Sequence, residues 1–241
     1  RIFSDMTISL KAAEDGKKSL TEAKKTGKTR EKWISEQALK ATERMSQEQT
    51  VQYLAGLDEA LFDSNIAMVR TVTTNAGTIN QNPHLDGFIA ERQHVESFNL
   101  NAKAKGSQYH AEVLEPKPGE TYGKNSVDIV IKDANGKIVK RYQSKYCKDA
   151  TATQGAFEKG DYHGQRKLVP EDQVGEIENS TDVIEAPDGT KSEPLSKEEA
   201  KNLQEQTQNK EIKEYDWENF KTEDIAKQVG QQAAYACLQG A

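Results

Sequence analysis

Apolar residues recur at helical spacing through the first hundred positions and then switch to alternation. Trp33, Ile34, Ala38, Leu39 and Met45 predict a helix over about 29–49. Ser46-Gln-Glu-Gln49, a hydroxyl followed three residues on by an amide, is a capping box. It opens a second helix carrying Val51, Tyr53, Leu54, Leu57 and Leu61, with 66–72 as its continuation. A polar connector at 75–83 follows. Leu85, Phe88, Ile89, Val95 and Phe98 then draw an apolar stripe on a helix over about 83–104, which Gly106 ends. Strands are expected at 109–114, 126–131 and 138–146, the last two joined by Asp133-Ala-Asn-Gly-Lys137, where Asn-Gly is a strong hairpin signal. A helix near 151–157 and a short strand at 167–169 complete the order helix, strand, strand, strand, helix, strand.

Beyond this core, residues 171–195 are acidic and carry turn signals such as Asp188-Gly189, so a mobile acidic loop or insertion is expected. Ser196-Lys-Glu-Glu199 is a second capping box and opens a polar helix to about 213. An amphipathic helix from about 222 carries Ile225, Val229, Ala233 and Cys237. Four parts result: a helical N-terminal region (1–81), an α/β core (82–170), the acidic loop (171–195) and C-terminal helices (196–241). The chain begins at Arg1 and ends on Gln-Gly-Ala, which suggests a fragment whose partners include further domains of a parent chain.

Composition narrows the class. The chain is 34% hydrophobic and 30% charged, and no run of 18 apolar residues could span a bilayer. Cys147 and Cys237 lie in different segments without a Cys or His at metal-ligand spacing, so two free thiols in a cytoplasmic protein are expected. Trp33 and Trp217 are expected to be packing residues. The net charge of −6 argues against a nucleic-acid binder until its distribution is counted. Residues 82–170 hold 14 Lys and Arg against 11 Asp and Glu, whereas 171–224 hold 6 against 17. The acid follows a mildly basic core, either as a solvated linker or as a screen over its groove.

Within that core, a two-residue turn at Asn135-Gly136 pairs Ala134 with Lys137 and, counting back along the ladder, Asp128 with Gln143. Lys145, two residues on, shares the face. A three-residue turn would shift this register by one. One face then presents a carboxylate, an amide and an ammonium, and the other Val127, Ile129, Ile131 and Tyr142 as core. Glu91 has Phe88, Val95 and Phe98 at i−3, i+4 and i+7, an acid on an apolar stripe, where a metal or Lys145 would offset the cost of burial. Mg²⁺ prefers oxygen ligands, commonly carboxylates with water and phosphate, so Asp128, Gln143 and Glu91 are candidate metal ligands and Lys145 could orient water or phosphate. Glu112 is a weaker candidate ligand.

Asp128, then Gln143-Ser-Lys145 across a hairpin, with a helical Glu91 upstream, resembles the PD-(D/E)XK nuclease superfamily, in its Gln-x-Lys branch similar to Mrr-like restriction enzymes. The resemblance covers roughly 90 residues. It implies a restriction endonuclease-like αβββαβ core within an α/β (α+β) chain, and a Mg²⁺-dependent DNA endonuclease in which Mn²⁺ can substitute. Glu91, Asp128, Gln143 and Lys145 would be catalytic. Val127 replaces the motif's proline before Asp128. A defence or toxin module of a larger protein fits this activity, and homo-oligomerisation stays open.

Tyr162, His163, Gln165, Arg166 and Lys167, just after the second core helix, are candidate nucleic-acid contacts, since such residues suit phosphate binding and base stacking. His94, three residues after Glu91, suggests a conceivable Glu-x-x-His metal pair. Competing readings are a solvated sheet face with an Asp–Lys pair, a Glu91 paired with Arg92 or Lys103, and a catalytically inactive nuclease-like fold serving as an interaction module.

Overall fold

The computed structural model describes residues 36, 38–116, 119–123 and 125–209. Within them the chain folds as α1 (Gln47–Val72), α2 (Leu85–Lys105), β1 (His110–Val113), β2 (Ile129–Lys132), β3 (Ile138–Ser144), α3 (Ala150–Glu158), β4 (Arg166–Leu168), β5 (Ser180–Thr181) and α4 (Lys197–Gln208). The fold is α+β, with one five-stranded mixed sheet in the order β1-β2-β3-β4-β5. The first two pairings are antiparallel and the last two parallel. Trp33, Trp217, Cys237 and the amphipathic segment from 222 lie outside the described residues. Among the described residues no helix is long and apolar enough to cross a membrane. Cys147 is a free thiol.

Local chemistry sets the helix limits. Both capping boxes form, Ser46 with Gln49 and Ser196 with Glu199. Asp149 caps α3 by accepting from the Ala152 amide at 2.8 Å. Gly106, at φ 71°, ends α2 in the left-handed conformation. The segment at 66–72 continues α1 without a break.

Helix α2 is buried on two apolar sides. Leu85, Ile89 and Leu100 pack on Leu57, Leu61 and Met68 of α1. Val95, Phe98 and Ala102 pack on Ala111, Ile129, Ile131, Tyr142 and Leu168 of the sheet. Between these sides runs a polar stripe at 94, 97 and 101, and it binds the 184–195 segment. His94 bonds Ser192 Oγ at 3.0 Å, Ser97 Oγ accepts from the Glu193 amide at 3.0 Å, and Asn101 Nδ2 donates to the Lys191 carbonyl at 2.9 Å.

That stripe corrects the expectation of a mobile acidic loop over 171–195. The segment supplies β5, and Ile177, Ile184, Ala186 and Leu195 are buried in the cores. Its backbone polar groups find partners on α2 and on Tyr142, whose hydroxyl accepts from the Glu185 amide at 3.0 Å. Glu171, Asp172, Glu176 and Glu178 are exposed on this packed strap, whereas Asp188 and Glu193 are partly buried and accept from Ser107 and Asn101.

The hairpin also differs from a two-residue turn. Gly136 is left-handed at φ 77°, the Asp133 amide donates to the Lys137 carbonyl at 3.0 Å, and Asp133 Oδ1 accepts from the Asn135 and Lys137 amides. This is a three-residue loop, and it pairs Lys132 with Ile138. Val139 is then bulged, so Ile131 pairs with Lys140 and Ile129 with Tyr142. The longer loop and the bulge shift the register in opposite directions and cancel.

Candidate active site

The restored register brings Asp128 beside Gln143. Gln143 Nε2 donates to Asp128 Oδ2 at 2.5 Å, and the Ser144 amide donates to the same oxygen at 2.8 Å. Both side chains are buried, Asp128 at 9% exposure and Gln143 at 3%. Lys145 continues the strand, its amide donating to the Leu168 carbonyl at 3.0 Å. With Glu91 from α2, these residues line one pocket of about 320 Å³, whose rim includes Phe88, Tyr122 and Tyr162.

Electrostatics in the pocket favour a cation. Burial pushes the Glu91 carboxyl up to about 8; the neighbouring Asp128 charge adds to the rise, while Lys145 and Arg92 oppose it. Burial also raises Asp128, against the Ser144 amide and Lys145. Gln143 Oε1 is buried and has no hydrogen-bond partner among the described residues. Such an orphan acceptor is costly unless something electropositive meets it. Two carboxylates whose charges are disfavoured, and one unpartnered amide oxygen, form an oxygen donor set suited to a hard divalent ion. Among the described residues no three His, Cys, Asp or Glu side chains form a metal-binding group; the third donor here is the amide.

The readings that compete for Glu91 do not form. Arg92 is committed to Thr71, Glu96 and Glu115, at 3.1, 3.4 and 2.7 Å. Lys103 lies against Gly56 on α1. Glu112 pairs with Lys132 at 2.5 Å and His110 at 3.1 Å and does not line the pocket. His94 is no partner for Glu91 in a metal pair. It is fully buried, both ring nitrogens are engaged by Ser192 and Tyr146, and burial lowers it to about 3, so it is neutral.

The segment after α3 divides. Tyr162 lines the pocket, with Lys145 Nζ 5.4 Å from its ring centroid. Lys167 pairs with Gln143 in the parallel ladder and so shares its face, where its ammonium lies 5.6 Å from the Phe157 ring. Gln165 Nε2 donates to the Asn125 carbonyl at 3.1 Å, tying this segment to the approach to β2. Arg166 pairs with Tyr142 and so belongs to the opposite face. His163 is almost wholly exposed and bonded to Asp161, whose carboxylate raises the imidazole.

Sequence reasoning missed part of the rim. Phe88, expected in the core stripe, is 37% exposed and lines the pocket. It precedes Glu91 by one helical turn, so the face that carries the acid outward carries the ring with it. Val127, also expected in the core, is only half-buried. Tyr122, in the loop before β2, had no periodic signal; a lone aromatic in a Gly-rich polar stretch was its one mark. Comparison with protein-family models, curated proteins and solved structures finds no match for this chain.

Proposed function

We propose that the chain is a Mg²⁺-dependent endonuclease that hydrolyses phosphodiester bonds of DNA, with the PD-(D/E)XK chemistry its motif resembles. The observation that carries this reading is the buried Gln143 Oε1, without a partner among the described residues, beside the Asp128 and Glu91 carboxyls. The order α2-β1-β2-β3-α3-β4 is similar to the αβββαβ core of that superfamily and supports it. Asp128, Gln143 and Glu91 would hold the ion, which when bound neutralises phosphate charge and acidifies a water. The Ser144 amide fixes the orientation of Asp128. Lys145 supplies the positive side chain of the pocket, placed to hold a phosphate oxygen or orient the attacking water.

Nicking of supercoiled plasmid by the full chain in Mg²⁺, Mn²⁺ and EDTA tests the reading. Cleavage is expected in both metals, none in EDTA, and none from Lys145→Ala with an unchanged circular dichroism spectrum. Absence of metal-dependent cleavage, or cleavage by the variant at the parent rate, overturns it in favour of an inactive nuclease-like interaction module.

A further inference from the structure

We propose that the pocket takes an unpaired nucleotide, so that its preferred substrate is single-stranded DNA rather than intact duplex; this rests on the reading of the pocket as a nuclease site. Three aromatic side chains from three parts of the chain converge on it. Phe88 comes from α2, Tyr122 from the loop before β2 and Tyr162 from the loop after α3. Phe88 and Tyr122 are 37% and 48% exposed. Apolar rings left in water give up the free energy that burial would return. The other large apolar side chains exposed among the described residues, Val51, Phe62 and Val69, are all on α1 and none lines the pocket. Of the three exposed Phe and Tyr rings among the described residues, Phe62 lies on α1 away from the pocket, and Phe88 and Tyr122 stand where carboxylates, an amide and an ammonium also meet.

The third ring is held by its surroundings. Tyr162 meets Phe157 edge to face, with centroids 6.0 Å apart and planes at 87°. Lys145 Nζ stands over it at 5.4 Å. A Cβ at Gly160 would lie 2.5 Å from the Tyr162 ring, so the glycine makes room for it. Lys145 therefore joins the ring to the polar end of the pocket.

Aromatic rings recognise base faces by stacking. In an intact duplex those faces are covered by neighbouring pairs, and only phosphates and base edges are presented. A cavity of about 320 Å³ that mixes rings with a phosphate-handling end matches a nucleotide whose base has left the stack. Without metal the Asp128 and Glu91 carboxyls offer a phosphate no favourable partner, so stacking on the rings adds to what Lys145 alone supplies.

Fluorescence anisotropy of a labelled single-stranded oligonucleotide, and of the same sequence as a blunt duplex, tests this on the full chain in EDTA and in Ca²⁺; the same two substrates are then assayed for cleavage in Mg²⁺ and Mn²⁺. The single strand is expected to bind about 10-fold tighter than the duplex. Phe88→Ala and Tyr122→Ala should each weaken single-strand binding by about 5- to 100-fold and leave duplex binding within about twofold, from the worth of one stacked base. Tyr122→Trp should retain it, and Gly160→Ala, which displaces Tyr162, should weaken it. Equal or tighter duplex binding, binding of neither oligonucleotide, or unchanged affinity in the alanine variants overturns the inference. Rim-dependent single-strand binding without cleavage in either metal keeps it and removes the nuclease reading. Cleavage of duplex that ignores the rim variants does the reverse.

Discussion

Asp128 has one oxygen already occupied by Gln143 and the Ser144 amide, so its remaining value to the pocket is charge. Asp128→Asn keeps the shape and removes that charge. Cleavage in Mg²⁺ is expected to fall by about 10²-fold or more, the scale of losing one transition-state electrostatic contact, with folding retained. Gln143→Glu adds a third carboxyl to the pocket, and cleavage should persist with an altered metal preference. Plasmid nicking across Mg²⁺ and Mn²⁺ concentrations separates the two; an Asp128→Asn protein at parent rate would sink the site. Gln143 and Lys145 were legible as one face because side chains alternate along a strand, whereas Asp128 opposite Gln143 followed from a two-residue turn and holds because the bulge cancels the longer loop. Phe88 was not, because an apolar residue on a helix stripe reads as core whether or not its turn emerges at a pocket. His94 has a separate signature. Its unfolded value is 6.5 and its folded value about 3, so below 6.5 the unfolded chain takes up a proton that the folded one refuses. Its stability contribution is complete above 6.5 and is lost as pH falls toward 3, at up to about 1.4 kcal/mol per pH unit. Thermal midpoints of the parent should therefore drop between pH 6.5 and 4.5 more steeply than those of His94→Gln; parallel curves would refute this.

Among the elements, the β2–β3 hairpin decides the pocket. Asn-Gly marked the turn correctly, yet the loop is one residue longer than that dipeptide implies. Asp133 is the reason, since its carboxylate gathers the Asn135 and Lys137 amides and extends the loop. The Val139 bulge that compensates has no sequence mark, because β-branched residues suit bulged and regular positions alike. Gly136→Ala forces an L side chain into φ 77° and should cost about 1 kcal/mol, lowering the melting point by a few degrees while leaving cleavage intact. Deleting Val139 removes only the bulged residue and leaves Lys140 opposite Ile131, Tyr142 opposite Ile129 and Gln143 opposite Asp128 in a regular ladder, so cleavage should survive in a folded protein. Loss of cleavage from a deletion protein with an unchanged circular dichroism spectrum would contradict the register as the determinant of the site.

Across the whole molecule, the acid-rich strap over 171–195 is structural. The element order from α2 to β4 was readable from hydrophobic periods, but the strap was not, since its contacts come from a polar stripe on α2 at 94, 97 and 101 rather than from its own pattern. A chain cut before Glu171 exposes the sheet face covered by Ile184 and Ala186 and leaves His94 without Ser192. Truncation is therefore expected to give an unfolded or aggregated product by circular dichroism and size-exclusion chromatography, and not a nuclease with an unmasked groove; a folded, tighter-binding fragment would show the strap to be a screen. Helix α4 has a further consequence. Gln208, in its last turn, donates to the Asn80 and Asn82 carbonyls just ahead of α2, while Lys197, at its start, meets Asp86 and the Tyr146 carbonyl. Tension applied to the chain between Asn80 and Gln208 loads these bonds one after another, like a zipper, before it reaches the sheet. The helix should peel first, at low force, and its release frees the backbone next to Lys145. A tug on the distal side of α4 would then disarm the pocket mechanically while leaving the strands intact.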